Sequence, residues 1–245
     1  MGIEDLTQQQ MIDGIIGLIY PAVGILIGGL IASKYAAYKR KELLFVGLSL
    51  IFMTTPWLAL GITFITMVFF DFVLQDNIYF FIYIAFVAFS SIFWIWAMAI
   101  LLAPASLKKI VPIYSVVCLT YEIYIIAMLI INPYSIMHRA GPMEVDAAPI
   151  IPLFTLFAAV LALVTMFIFV RNLLKSENVK MVWRGRFLFV SIICLVIALI
   201  IVISNTTNIG LILISRILYI AQCFFSYLGW LLPNRVAKLI IKENE

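Results

Sequence analysis

Residues 150–170 read IIPLFTLFAAVLALVTMFIFV, an apolar stretch that contains no Asp, Glu, Lys or Arg. A bilayer core requires roughly 20 consecutive apolar residues in one helix, so this stretch predicts a membrane-spanning helix. The whole chain has the same character, because 65% of its 245 residues are hydrophobic, 11% are charged and its mean hydropathy is +1.17. A soluble domain carries roughly 25% charged residues. The composition therefore excludes a soluble globular protein and indicates an integral membrane protein.

Other apolar runs of similar length give seven predicted helices in all. They extend over about 14–33, 43–70, 78–102, 110–131, 150–170, 187–204 and 209–232. We therefore predict an all-α fold in which residues 1–245 form a single seven-helix transmembrane domain. The second run is long enough to tilt, or to bend at Pro56 near its middle.

The basic residues predict how these helices are oriented. The first, third and fifth loops and the C-terminal tail hold every Lys and Arg except Arg139 and Arg216. Cytoplasmic loops retain Lys and Arg, so we expect the N-terminus outside, the C-terminus in the cytoplasm and the protein in the plasma membrane. Asn205-Thr206-Thr207 matches a glycosylation sequon. We do not expect its modification, because the loop is short and lies against the bilayer.

The two halves of the chain are weakly alike. Residues 41–46 read KELLFV after the first predicted helix, and residues 185–190 read GRFLFV after the fifth. This similarity predicts a 3+1+3 duplication, in which helices one to three and five to seven form matching bundles around helix four. The alternative is that unrelated membrane helices share Leu, Phe, Val and basic flanks.

The first predicted helix has a face of small residues. Gly17, Pro21, Gly24 and Gly28 recur at three- and four-residue steps and form a flat strip that lets another helix approach closely. Two readings remain open at this point. The strip packs against a helix of the same chain, or it docks a second copy of the chain or a membrane-protein partner.

Two ionisable residues, Glu122 and Arg216, lie well inside predicted helices. An unpaired charge near the bilayer centre costs about 3 kcal/mol or more, so we expect both side chains to face the bundle interior and favour a direct pair between them. Tyr219 and Gln222 share a helical face with Arg216, and Tyr124 lies close to Glu122. These five residues are predicted to form a polar cluster. It is either a cavity for a small polar or anionic ligand, or a structural ion pair.

Two further features concern the predicted cytoplasmic side. Residues 171–186 contain five basic residues interleaved with apolar ones, which predicts a segment that binds anionic headgroups or docks a cytoplasmic partner. Trp183 and Trp230 are expected at the cytoplasmic interface. Trp57 and Trp94 are too deep for that interface and are expected to fill the bundle.

Residue counts argue against the common cofactors and against nucleic acid. The single histidine, His138, cannot supply both axial ligands of a b-type haem, and it excludes a metal centre built on several histidines. All lysines lie outside the predicted helices, so a covalent retinal Schiff base in helix seven is excluded. The net charge of +4 is spread over several short loops, which is not a nucleic-acid pattern. We therefore expect no cofactor and no metal.

The sequence contains no combination of residues typical of catalysis, so we expect no enzymatic activity. We predict a seven-helix membrane protein of the sensor, receptor or accessory-subunit type, without retinal or haem. The alternative is a transporter of small polar solutes, built from two three-helix bundles joined by helix four.

Overall fold

The computed structural model describes residues 6–204 and 208–241, so the 205–207 sequon and the termini lie outside the described residues. Within these residues the chain forms ten α-helices and one two-stranded antiparallel hairpin. The helices are α1 (Gln8–Tyr38), α2 (Lys41–Met53), α3 (Thr55–Phe70), α4 (Asp76–Ile84), α5 (Val87–Leu102), α6 (Leu107–Ile131), α7 (Ile150–Leu174), α8 (Val179–Ile203), α9 (Ile209–Leu231) and α10 (Asn234–Ile240). The strands are β1 (Met137–Arg139) and β2 (Val145–Ala147).

Six helical segments of the described chain are long and apolar enough to cross a membrane. They are Gln8–Tyr38, Asp76–Leu102, Pro104–Ile131, Ile150–Leu174, Val179–Val202 and Ile209–Leu231. The pair α2 and α3 passes the same test as one span that is bent by 42°. The chain is therefore an all-α integral membrane protein with six spans, or with seven when the bent pair is counted as one, and its apolar helices suit a lipid bilayer.

The bend between α2 and α3 has a local cause. Pro56 lies in the first turn of α3, and it has no N–H to donate to the carbonyl of Phe52 four residues earlier. The hydroxyl of Thr55 donates to that carbonyl instead, at 2.9 Å, and the hydroxyl of Thr54 donates to the carbonyl of Ile51 at 2.8 Å. These two bonds satisfy backbone groups that a bent helix exposes within a membrane. The bend lies where the sequence predicts it.

The helices pack in a ring. α1 contacts α2, α3 and α9, α2 contacts α5, α5 contacts α7, α7 contacts α8, and α8 contacts α9. The α6 helix packs against α5 and α4, and Tyr121 of α6 stacks on Phe154 of α7 with ring centroids 3.7 Å apart. We call α1, α2, α3, α5, α7, α8 and α9 the ring helices.

The strip of small residues on α1 is filled by α2 and α3 of the same chain. A Cβ added at Gly28 would lie 2.6 Å from the carbonyl oxygen of Gly47, and one added at Gly17 would lie 2.7 Å from the backbone nitrogen of Gly61. Pro21 and Gly24 are buried on the same face. Of the two interpretations, packing within the same chain is therefore the one the structure supports, and docking of a second copy or a partner on this strip is wrong, because α2 and α3 already occupy it.

The hairpin caps one end of the bundle. Arg139 of β1 donates to the carbonyl of Leu74 at 2.6 Å and pairs with the carboxylate of Asp76 at 2.9 Å. The side chain of Gln10 donates to Glu144 beside β2 at 3.3 Å, which ties the start of α1 to the hairpin. We call this end of the bundle the hairpin end, and the opposite end, where α10 lies, the α10 end.

Candidate functional site

The ring helices line a partly open cavity of about 300 Å³. This volume is at the lower limit of small-molecule pockets, which measure roughly 300–1,000 Å³. Every ring helix contributes to the lining. The lining residues are Tyr20, Ser49, Leu50, Met53, Pro56, Trp57, Val87, Ser90, Ser91, Trp94, Thr155, Ala158, Ala159, Ala162, Leu163, Met166, Ser191, Ile192, Leu195, Leu199, Tyr219, Gln222, Ser226 and Trp230.

Small residues on α7 create this space. Ala158, Ala159 and Ala162 face the ring interior, where larger side chains would fill the gap between α5 and α8. The lining on α7 extends from Thr155 to Met166, which corresponds to about 16 Å at the helical rise of roughly 1.5 Å per residue. A cavity of this volume and length is narrow and elongated.

An aromatic cluster lines the cavity on the side of α1, α3 and α9. Tyr20, Trp57 and Tyr219 contact one another with ring centroids 5.5 to 5.9 Å apart. The guanidinium of Arg216 lies over the Trp57 ring at 4.5 Å. It donates to the carboxylate of Asp13 from Nη2 at 2.6 Å and from Nε at 3.1 Å. The Asp13–Arg216 ion pair thus packs against this aromatic cluster through the Trp57 ring.

A second aromatic cluster lies at the α10 end of the cavity. Trp230 stacks on Phe169, with centroids 5.3 Å apart, and meets Trp94 edge to face at 6.5 Å. The guanidinium of Arg184 donates to the carbonyl of Gly229 at 3.0 Å and to the carbonyl of Trp230. Trp230 is 3% exposed, so at the end of α9 it packs inside the bundle. It lies three turns beyond Tyr219 on the same inward face of α9.

Hydrogen-bonding side chains line one wall of the cavity. The hydroxyls of Ser191 and Ser226 lie 2.9 Å apart, and Ser191 also donates to the backbone carbonyl of Gln222 at 3.1 Å. The Gln222 amide nitrogen donates to Ser226 at 3.3 Å, and the thiol of Cys223 lies 3.4 Å from the Gln222 amide oxygen. The amide group therefore still has one N–H and acceptor capacity for a bound molecule.

The predicted polar cluster is divided between two places. Tyr219 and Gln222 line the cavity, and Arg216 lies behind Trp57. Glu122 and Tyr124 belong to α6, outside the ring. The predicted pair of Glu122 with Arg216 is wrong, because the guanidinium binds Asp13 instead.

The sequence-based prediction missed Asp13 as the partner of Arg216, because it placed the start of the first helix at residue 14. α1 begins at Gln8, so Asp13 lies in its second turn. A signal for this start exists in the sequence. Thr7 and Gln10 form a reciprocal capping box, with Thr7 accepting from the Gln10 backbone at 3.2 Å and Gln10 accepting from the Thr7 backbone at 3.0 Å.

Glu122 is 2% exposed, and neither of its carboxyl oxygens has a hydrogen-bond partner within the described chain. Its neighbours on the buried face of α6 are Cys118, Tyr121 and Ile125. Tyr124 is 42% exposed, because two residues along a helix turn the side chain by about 200° away from Glu122. Tyr124 therefore does not join Glu122 in a cluster.

Residues 171–186 form two helix ends and a short turn. α7 ends at Leu174 and α8 begins at Val179. Arg184 is half-buried against α9, whereas the other four basic side chains are exposed; these are Arg171, Lys175, Lys180 and Arg186. The exposed four remain available to headgroups or to a partner.

The hairpin end carries a second, open concavity of about 410 Å³. Asp76 lies in it, where it pairs with Arg139 and accepts a hydrogen bond from the hydroxyl of Tyr134 at 3.1 Å. This hydrogen bond raises the pKa of Tyr134. Because these groups bind one another, we assign them to the attachment of the hairpin.

Comparison with known proteins gives no family for this chain. No family model matches it, and no curated protein matches it. Among the described residues, no group of three or more His, Cys, Asp or Glu side chains is placed to hold a metal ion. The functional interpretation therefore depends on the geometry of the cavity.

Proposed function

We propose that this protein is a non-enzymatic membrane sensor or receptor that binds a small molecule inside its ring of helices. The observation that carries this proposal is the cavity between the helices, whose lining includes residues from every ring helix. A molecule bound there contacts all of these helices at once. Its binding energy can therefore favour one arrangement of the helices over another.

Trp230 supplies a route from the cavity to the α10 end. Its indole ring lines the cavity, and its backbone carbonyl accepts a hydrogen bond from Arg184 of α8. α9 ends one residue later, at Leu231, and α10 begins at Asn234. A ligand that displaces the indole ring would change how α8 holds the end of α9, and α10 would move with it.

The proposed output is at the α10 end. The exposed basic side chains of 171–186 and those of α10 lie beside this route. We place this end on the cytoplasmic side of the membrane, from the distribution of basic residues, and we propose that this membrane is the plasma membrane. There it would contact anionic headgroups, a cytoplasmic partner, or the other subunits of a complex in which this chain is an accessory subunit.

One observation favours sensing over transport of polar solutes. The described cavity lining contains no Asp, Glu, Lys, Arg or His, although transporters hold polar solutes and coupling ions with polar or charged groups near the midplane.

Filling the cavity tests the proposal. The protein would be placed in lipid nanodiscs, exposed to a lipid extract of its native membrane, washed, and analysed by mass spectrometry for retained small molecules. Ala162→Phe places an aromatic ring in the cavity. Val160→Phe makes a similar addition on the lipid-facing side of α7, where Val160 is 51% exposed. We expect wild type and Val160→Phe to retain a molecule that Ala162→Phe does not.

The sensing step requires a second measurement. Spin labels at Lys180→Cys and Lys238→Cys, both exposed positions near the α10 end, report the distance between α8 and α10. The retained molecule should change this distance in wild type and leave it unchanged in Ala162→Phe. Equal retention by Ala162→Phe, or a distance that never responds, would refute the proposal.

A further inference from the structure

We infer that the molecule bound in the cavity is uncharged, elongated and mostly apolar, and that it has a hydroxyl or carbonyl group which binds Gln222. This inference rests on the proposed function, since it names the class of ligand for the same cavity. It differs from the sequence-based expectation of a small polar or anionic ligand at Arg216. The shape, the charge and the hydrogen-bonding groups of the cavity each support it.

The shape of the cavity selects an elongated molecule. About 300 Å³ of space lies beside about 16 Å of α7, and its lining includes the aromatic cluster at Trp57 and the one at Trp230. Compact molecules with a rigid round skeleton would leave one end of this space empty. An empty apolar space loses dispersion contacts, so a chain-like molecule that reaches both clusters gains more contact per atom.

The charges around the cavity select a neutral molecule. Arg216 is the nearest cation at the hairpin end, and it is bound to Asp13 behind the Trp57 ring. At the α10 end, Arg184 is bound to backbone carbonyls. Neither guanidinium lines the cavity, so a carboxylate or ammonium group inside it would be buried without a counter-charge, which is strongly unfavourable.

The Gln222 amide selects a hydrogen-bonding group on that molecule. Gln222 is 5% exposed and lines the cavity, and one of its two N–H groups binds Ser226. Its second N–H and its amide oxygen, which has only the weak contact with Cys223, are available to a ligand. A hydroxyl group can bind both, and a carbonyl group can accept from the N–H.

The experiment compares probes that share one chain and differ in the head group. Dodecanol, dodecanoate and dodecylamine, each brominated at the far end of the chain, would be titrated into nanodisc samples. Bromine quenches the tryptophans of the cavity, and the quenching that remains in Ala162→Phe gives the background from the bilayer. Competition by unbrominated dodecanol in wild type measures the same binding without any variant, should Ala162→Phe fail to fold.

We expect dodecanol to bind at least ten-fold more tightly than the charged probes, and more tightly than the compact alcohol adamantanol. Gln222→Leu should weaken dodecanol about ten-fold, the value of one net hydrogen bond, and leave bromododecane unchanged because it has no hydroxyl. Tighter binding of a charged probe or of adamantanol overturns the ligand class and leaves the proposed function intact. The proposed function itself fails if no probe and no molecule of the membrane extract binds wild type more tightly than Ala162→Phe or is displaced by unbrominated dodecanol.

Discussion

Gly28→Ala should destabilise the protein, whereas Gly29→Ala, at the neighbouring residue of α1, should not. A Cβ at Gly28 would lie 2.6 Å from the carbonyl oxygen of Gly47 and 2.8 Å from the side chain of Ile51. A Cβ at Gly29 would have nothing within 4 Å. Both substitutions add the same methyl group to the same helix at nearly the same depth, so only the packing against α2 differs.

The magnitude follows from the distances. The added Cβ at Gly28 is about 0.8 Å short of the 3.4 Å at which ordinary contact begins, and its neighbour at Gly47 is backbone that cannot rotate away. Overpacking of this kind costs about 1–3 kcal/mol. Alanine also favours the helix by up to about 1 kcal/mol relative to glycine, at either position. This gain is the same at both positions and cancels in the comparison, so the two variants should differ by the overpacking cost of about 1–3 kcal/mol in the free energy of unfolding.

Unfolding by sodium dodecyl sulfate in mixed micelles, followed by circular dichroism, measures this difference. Gly29→Ala should be as stable as wild type or slightly more stable, and Gly28→Ala clearly less stable. If the two variants have equal stabilities, α1 does not pack on α2 through this face. The assignment of the glycine strip to intramolecular packing would then be refuted.

Three other predictions concern charge, orientation and pigment. Asp13→Asn and Arg216→Gln should each reduce stability by about 1–3 kcal/mol, below the range for a fully buried pair because the Asp13 side chain is 18% exposed. A double-mutant cycle should show coupling for these two and additivity for Glu122→Gln with Arg216→Gln; the reverse would contradict the structure. Single cysteines introduced at 175–180 should react with an impermeant maleimide only after intact cells are permeabilised, and labelling before that step would invert the orientation. Retinal added to the protein should give no borohydride-trappable adduct, because every lysine lies outside the predicted spans.

The spans and the bend were predictable because their causes are local. A run of apolar residues has to satisfy its own backbone in lipid, so run length and composition suffice to predict a helix such as α7. Pro56 removes a specific hydrogen bond from its own helix, so the bend at Thr54 follows from one residue type. Choosing between the two interpretations of the glycine strip required the structure, because a flat helix face does not specify which helix packs on it.

The cavity and the partner of Arg216 were not predictable because their causes are distant in the sequence. Asp13 and Arg216 lie at opposite ends of the chain. Asp13 precedes the predicted start of the first helix at residue 14, and only the capping box at Thr7 indicates that the helix begins earlier and includes it. The cavity arises where alanines of α7 meet serines and aromatic rings of other helices. No single segment carries a pattern for an empty space, whereas the face of α9 that carries Tyr219 and Gln222 was predictable from helical spacing.

The bonds beside the two aromatic clusters bear differently on sensing and on transport. Transport requires access to the cavity from each side of the membrane in turn, so the bundle would have to rearrange near both the Asp13–Arg216 pair and the bonds of Arg184 to the end of α9. Sensing requires a change at only one end. A hydrogen bond from a charged group contributes about 1.5–3 kcal/mol, and burial of roughly 100 Å² of apolar surface contributes about 2.5 kcal/mol. A ligand that gains this much additional contact with Trp230 in one arrangement of α9 can therefore offset the loss of one bond from Arg184. Because a ligand shifts an equilibrium only by its differential affinity, this is the size of contact that coupling between the cavity and α10 requires.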